Sequence, residues 1–302
     1  MAYRRSGAQP EDPGARLRTR QLGAGRSRRH DRCLRRLAES AGGRVSGAAD
    51  SADSRAGPAP AVSAASLPRE VYADAAELAQ AAATEIAAAA AQAIAERGQF
   101  LLALSGGQTP QAMLRALAVK PIDWSRVHLL QVDERIAPLG HSARNLTQLQ
   151  ETLLAHVPIP AAQVHLLPVD AIDPQAAMAA CEAQLRQLMG DPPQLDLVQL
   201  GLGGDGHTAS LLPGDAALDV TGQALAVSAC YQGWRRMTLT RHVINRARRV
   251  LWLVSGADKA AVLARFVVGD AALPASRIRR ENALLLCDVA AAGDLAALEE
   301  GD

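Results

Sequence analysis

Leu195-Asp196-Leu197-Val198-Gln199-Leu200-Gly201-Leu202-Gly203-Gly204-Asp205-Gly206-His207-Thr208-Ala209-Ser210 runs from an apolar segment straight into a turn holding four glycines, a carboxylate and an imidazole. Leu195, Leu197, Val198 and Leu200 read as a buried strand, and the glycines let the backbone turn tightly and come close to a ligand. The turn itself has two accounts, and both stay open. Asp205 can fix the tautomer of His207 and raise its basicity, the arrangement of an oriented general base. Equally, the segment can be a tight strand-to-helix turn in which Asp205 caps a helix and Thr208 and Ser210 are helix-start hydroxyls.

Two motif matches in the chain fail on context. Gly201, Gly203 and Gly206 satisfy the spacing of a dinucleotide-binding turn, but such a turn comes after the first strand of its domain and needs an acid about 20 residues on, at the end of the next strand. Here the next apolar run, Ala224 to Ser228, ends without one. Leu104-Ser105-Gly106-Gly107-Gln108 spells the signature of transporter ATPases, yet no Gly-Lys pair exists to anchor a nucleotide.

Composition divides the 302 residues unevenly. Residues 1–65 carry 13 Arg, no Lys and six acids, a net charge of +7, whereas residues 66–302 carry 19 basic and 25 acidic residues, a net charge of −6. The first segment lacks apolar periodicity and is expected to be a disordered Arg/Ala/Gly-rich extension. Its acids argue against a transit peptide, and its lack of interleaved aromatics against specific nucleic-acid binding. Cys33, Cys181, Cys230 and Cys287 have no paired spacing, so neither a disulfide framework nor a zinc site is indicated. No apolar run reaches the 18 residues of a membrane span, and a cytoplasmic location is expected.

From residue 66 onward short apolar runs alternate with helix-forming segments. This predicts an α/β fold, a doubly wound, mostly parallel sheet with helices on both faces. Helices are expected over 75–97, 109–118, 143–155, 174–189 and 259–268. Strands are expected over 100–104, 127–132, 164–167, 195–200, 224–228, 237–240, 249–254 and 284–287. Ligands of such sheets bind beyond the carboxyl ends of the strands. Four loops of suitable chemistry fall there: Ser105–Thr109, Asp133-Glu134-Arg135, the Asp205-His207 turn, and Ser255–Lys259.

Each loop carries two readings. Ser105 to Thr109 offers free N–H groups at a helix start, a cradle for an anion, or an ordinary β-to-α turn. Arg135 can clamp a phosphate or pair with Asp133 or Glu134. Lys259 opens a helix against the dipole, so an anion is expected beside it, from a ligand or from Asp258. Of the seven histidines, His207 alone has a carboxylate two residues away on a glycine turn; His128, His156 and His165 read as structural, and His141 as a residue of the loop after Arg135. No histidine pair or carboxylate cluster suggests a metal.

Taken in order, Leu104–Pro110, Asp133-Glu134-Arg135, Gly201–Gly214 and Arg236-Met237-Thr238-Leu239-Thr240 closely resemble the 6-phosphogluconolactonase family, over roughly residues 68–290. The resemblance implies hydrolysis of 6-phosphoglucono-δ-lactone without a cofactor, with a small sugar-phosphate lactone as partner; the sequence does not reveal the oligomeric state, a monomer being favoured. It implies His207 as the base, Asp205 orienting it, and Gly106, Gly107, Thr109, Arg135 and Lys259 on the phosphate. Ser105, His141, Asn145, Gly203, Gly204 and Arg236 would line the pocket. A related deaminase has Ile-Ala-Phe-Asn where this chain has Thr208-Ala209-Ser210-Leu211; an isomerase or deaminase, and a non-catalytic sugar-phosphate sensor, are the competing functions. Two positions depart from the pattern: Arg144, expected to be solvated, stands where serine is usual, and Leu212 where phenylalanine is common.

Overall fold

The computed structural model describes residues 67–293 and Leu295, so the expected N-terminal extension lies outside the described residues. The chain builds β1 (Arg69–Tyr72), α1 (Ala75–Arg97), β2 (Phe100–Leu104), α2 (Gln108–Ala118), β3 (Val127–Gln131), β4 (Asp133–Arg135) and α3 (Asn145–Leu149), which runs on into a π turn at Gln150–Leu154. Next come β5 (Val164–His165), α4 (Pro174–Met189), β6 (Leu197–Leu200), β7 (Leu225–Tyr231), β8 (Trp234–Leu239), α5 (Arg241–Ile244), β9 (Arg249–Val254), α6 (Ala260–Val267), β10 (Ala283–Asp288) and α7 (Val289–Ala292). Seven strands form a parallel sheet in the order β1-β10-β9-β6-β2-β3-β5, and β4, β8 and β7 form a small antiparallel sheet.

The parallel sheet is covered on both faces, which explains its near-continuous apolar strands. All five residues of β2 are buried: Phe100, Leu102 and Leu104 point to the core shared with α1 and α2, while Leu101 and Ala103 point to the core shared with α4, α6 and the small sheet. The period of two along a strand sends alternate residues to the two faces. Helix α1 can lie close because its inner stripe is mostly alanine, with Leu78 and Ile86 filling the gaps. Asp74 caps its start, accepting from the N–H groups of Ala76 and Glu77, a contribution of about 1 kcal/mol. Gly98 ends it in the left-handed region at φ 77°.

The main departure from the sequence-based expectation is at Asp133-Glu134-Arg135, read as a loop and found as strand β4. Only Val132 separates β3 from β4. Its N–H donates to Leu104 O at 3.0 Å in the parallel sheet, and its carbonyl accepts from Leu239 N–H at 2.8 Å in the antiparallel one. One residue therefore hands the chain from one sheet to the other. Helix 143–155 proves to be α3 plus the π turn, starting where Glu134 receives its first N–H groups. The strand expected over 164–167 stops at His165, because Leu167 N–H is taken by the Gln131 side chain at 3.1 Å. No helix starts after the Asp205-His207 turn. No helix of the described residues is long and apolar enough to cross a membrane.

At the β5 edge, His128 Nδ1 and His165 Nε2 lie 3.0 Å apart with stacked rings. Burial pushes both imidazoles down in pKa, and His165 is lowered further by the charge of His128. The unfolded chain thus takes up protons more readily than the folded one, so stability is full above about pH 6.5 and is lost as the pH falls, by at most about 1.4 kcal/mol per pH unit for each proton. His165→Gln, which keeps a polar partner but cannot titrate, is expected to flatten the fall of melting temperature between pH 7 and 5. An equally steep fall would rule this pair out as the source.

Candidate active site

A cleft of about 320 Å³ opens above the carboxyl ends of β2, β6 and β9, lined by Ser105–Pro110, Asp133, Arg135, Asn145, Gly201–Gly203, His207–Ala209, Arg236, Ser255, Asp258 and Lys259 among others. This is where the chain order of the sheet reverses, β2 leading outward to β3 and β6 leading the other way to β9, and the small antiparallel sheet walls one side. All four loops singled out from the sequence contribute. A larger depression, of about 760 Å³, lies at the opposite end of the strands, where Arg97 and Arg248 pair with Asp196 and Arg249 with Glu85.

The turn after β6 is built around His207. Its Nδ1 lies 2.5 Å from Asp205 Oδ1, which also accepts the His207 backbone N–H at 3.1 Å. Burial alone would raise the Asp205 carboxyl, but the N–H and ring of His207, together with the Tyr231 hydroxyl, overcome it and hold the group below its usual range. Since a carboxylate only accepts, Nδ1 carries the proton, and in the neutral imidazole this leaves the lone pair on Nε2. Gly203 N–H donates to His207 O at 2.8 Å, closing the turn. A Cβ on Gly203 would sit 2.1 Å from His207 Nδ1, so a larger residue would displace the imidazole from Asp205. The hydroxyls read as helix-start groups do other work: Thr208 Oγ1 donates to Gly201 O at 2.9 Å, and Ser210 Oγ donates to Asp133 Oδ2 at 2.6 Å.

Strand β4 supplies a carboxylate hub and a cation. Glu134, fully buried, accepts from Gln131 Nε2 and from the N–H groups of Arg135, Asn145 and Leu146, all at 2.7–2.8 Å. Arg144, expected to be solvated, is 2% exposed, bidentate on Asp170 at 2.9 and 3.0 Å, with Nε 3.5 Å from Glu134 at ion-pair distance without hydrogen-bond geometry. The pairing of Arg135 with its neighbouring acids does not form; its Nη1 donates instead to Ala143 O at 2.6 Å. Arg135 and Arg236 are register partners across β4 and β8, both face the cleft, and the Nε of each is buried without a hydrogen-bond partner. Burial, and then the charge of Arg135, push Arg236 down in pKa. Like charges opposed across a ladder are destabilising by themselves; the carboxylates of Asp133 and Asp205 act in the opposite sense on Arg236, without ion-pair contact.

The Ser105–Thr109 loop is a narrower cradle than the sequence suggests. Ser105 N–H is taken by Gln199 Oε1 and Gly107 N–H by Gln148 Oε1, each at 3.2 Å. What remains is Gly106, the start of α2, which no side chain caps, and Thr109, all lining the cleft. Asn145 donates to Asp133 O at 2.8 Å and presses on Gly106, where a Cβ would meet Asn145 Oδ1 at 2.0 Å. Lys259 lies in the cleft and pairs with Asp258 at 3.1 Å, so the anion expected at that helix start is at least partly its neighbour. Asp288, which carries no signal in the sequence, accepts from Ser255 Oγ and Gly256 N–H and so shapes that loop. His141 and Gly204 are exposed and outside the cleft lining; His141 Nδ1 accepts Ala143 N–H at 3.0 Å and its ring abuts Trp234. Leu212 is buried in the core rather than in the cleft wall. Among the described residues no group of three or more His, Cys, Asp or Glu could hold a metal ion.

Comparison with known proteins gives a consistent set of matches. The family described as glucosamine-6-phosphate isomerases/6-phosphogluconolactonase matches residues 73–286. A 6-phosphogluconolactonase of Mycobacterium tuberculosis is 38% identical over 240 residues, covering 75% of this chain and 97% of the relative. One from Synechocystis sp. is 40% identical over 183 residues, covering 59% and 76%. The solved structure of the 6-phosphogluconolactonase from Trypanosoma brucei superposes with a TM-score of 0.68 at 27% identity, covering 76% of this chain and 98% of that one.

Gly203→Ala tests the steric account of the turn directly. Gly203 does not occupy the left-handed region, so the backbone tolerates alanine and the melting temperature should change little. A crystal structure of the variant is expected to show the His207 ring swung away from Asp205; an unmoved ring would refute the account.

Proposed function

From membership of the glucosamine-6-phosphate isomerase/6-phosphogluconolactonase family, to which the chain belongs, we propose that this protein hydrolyses 6-phosphoglucono-1,5-lactone to 6-phosphogluconate, a step of the oxidative pentose phosphate pathway. The observation that carries the reading is that His207, held by Asp205, lines one cleft with Arg135 and Arg236, two neighbouring guanidiniums without an ion-pair contact. A base at one end and an anion site at the other fit a neutral, hydrolysable ring joined to a phosphate.

In this mechanism His207 Nε2 removes a proton from water as the oxygen attacks C1 of the lactone. The resulting imidazolium is stabilised by Asp205 through Nδ1–H. The tetrahedral intermediate collapses with cleavage of the C1 to ring-oxygen bond, and the proton held by His207 passes to that oxygen, which becomes the C5 hydroxyl. Arg135 and Arg236 hold the phosphate, joined by the uncapped start of α2, the Thr109 hydroxyl and Lys259. Lys259 exchanges its bond to Asp258 for one to the phosphate. General-base assistance of this kind contributes about 10²–10⁴ in rate.

His207→Asn is expected to lower kcat for the lactone by at least about 100-fold with the fold intact. Arg236→Gln should raise KM about 10-fold or more for the phosphorylated lactone, matching loss of a charged hydrogen bond of about 1.5–3 kcal/mol, and should leave the slow hydrolysis of unphosphorylated gluconolactone unchanged. Retained activity in His207→Asn would remove the base. Equal effects of Arg236→Gln on both lactones would remove the phosphate assignment.

A further inference from the structure

The hairpin joining β7 to β8 reaches into the site from a direction that the loops at the sheet ends do not explain. Its two central residues, Gln232 and Gly233, both have positive φ, 51° and 85°, the geometry of a tight two-residue turn whose twist matches its strands. The ladder slips between Ser228 and Tyr231, and such irregularities re-aim the neighbouring side chains. Here the slip delivers Tyr231 onto the Asp205-His207 turn. The Tyr231 and His207 rings meet edge to face, 5.1 Å apart at 66°. Arg236 lies over the same tyrosine ring, its guanidinium carbon 5.0 Å from the centroid, and its Nη2 donates to Gln232 Oε1 at 3.3 Å.

Tyr231 therefore touches the proposed base, influences the carboxylate that orients it, and carries the guanidinium of Arg236 on its ring. We propose that Tyr231 is a positioning residue: its hydroxyl, directed at Asp205, and its ring, packed on His207 and under Arg236, hold the acid–base pair and the phosphate site in one fixed spacing. The proposal rests on the lactonase reading for its kinetic consequence, but not for its structural one. The ring packed edge to face on His207 limits rotation of the imidazole away from Asp205, and the hydroxyl acts on the same carboxylate, adding to His207 in holding it below its usual range. Burial and the Asp205 carboxylate push the Tyr231 hydroxyl up in pKa, so it stays protonated and able to donate. The cation–π contact lets Arg236 sit beside Arg135 without a carboxylate partner of its own.

Two variants separate the two halves of the role. Tyr231→Phe keeps the ring and removes the hydroxyl; it is expected to lower kcat for the phosphorylated lactone about 5- to 10-fold with KM within about twofold of the parent. It should also shift the downfield proton resonance of His207 Nδ1–H, a signal identified by its loss in His207→Gln. Tyr231→Ala removes the ring as well and is expected to raise KM at least about threefold through Arg236. Parental kcat and an unshifted downfield resonance in Tyr231→Phe would overturn the proposal. A shifted resonance in a protein that fails to accelerate lactone hydrolysis would instead leave Tyr231 as the positioning residue of the pair and overturn only the lactonase reading.

Discussion

The site depends on the passage of the chain through Val132, where a parallel strand becomes an antiparallel one within a single residue. With its N–H bonded into one sheet and its carbonyl into the other, Val132 fixes the small sheet above the carboxyl edge of the large one. Everything on β4 is then placed: Asp133 reaches the Ser210 hydroxyl beyond the histidine turn, Glu134 gathers the N–H groups that start α3, and Arg135 faces the cleft. Burying Glu134 with Arg144 would be costly without this full set of donors, since an unpaired buried charge is worth several kcal/mol against folding. With those donors in place, the strand switch serves as one wall of the cleft.

Much of this is legible in the sequence because it is local. The alanine-rich stripe of α1, the Pro174 start of α4 and the continuous apolar runs of β2 and β9 come from propensity and period, and the glycine turn after β6 announces itself. The strand-end rule for open α/β sheets then gathers four loops into one cleft, as found. What the sequence hides is nonlocal or polar. Residues 133–135, two acids and an arginine, carry no strand signal; they become a strand by pairing with β8 about a hundred residues later. Arg144 reads as a surface residue until Asp170 and Glu134 close around it.

The same distinction runs through the site itself. Asp205 and His207 are two residues apart, so their partnership can be anticipated from spacing. The Arg135–Arg236 pair, the claims of Gln148 and Gln199 on the N–H groups of the Ser105 loop, and the reach of Tyr231 all require knowing which strands lie side by side. Glycines at 106 and 203 acquire a reason as well: each leaves room for one polar side chain, Asn145 or His207, that a methyl group would displace. Substrate recognition in this reading rests on two guanidiniums that no carboxylate meets at ion-pair distance. Two guanidiniums opposed across a ladder are held a fixed distance from an imidazole whose proton is fixed by a carboxylate.

The most direct test is to follow freshly prepared 6-phosphoglucono-1,5-lactone by ¹³C NMR with and without the full chain at neutral pH. The account predicts that the C1 lactone signal gives way to the carboxylate of 6-phosphogluconate far faster than in buffer, with the phosphate ester intact. Decay at the spontaneous rate in the presence of folded protein would contradict it.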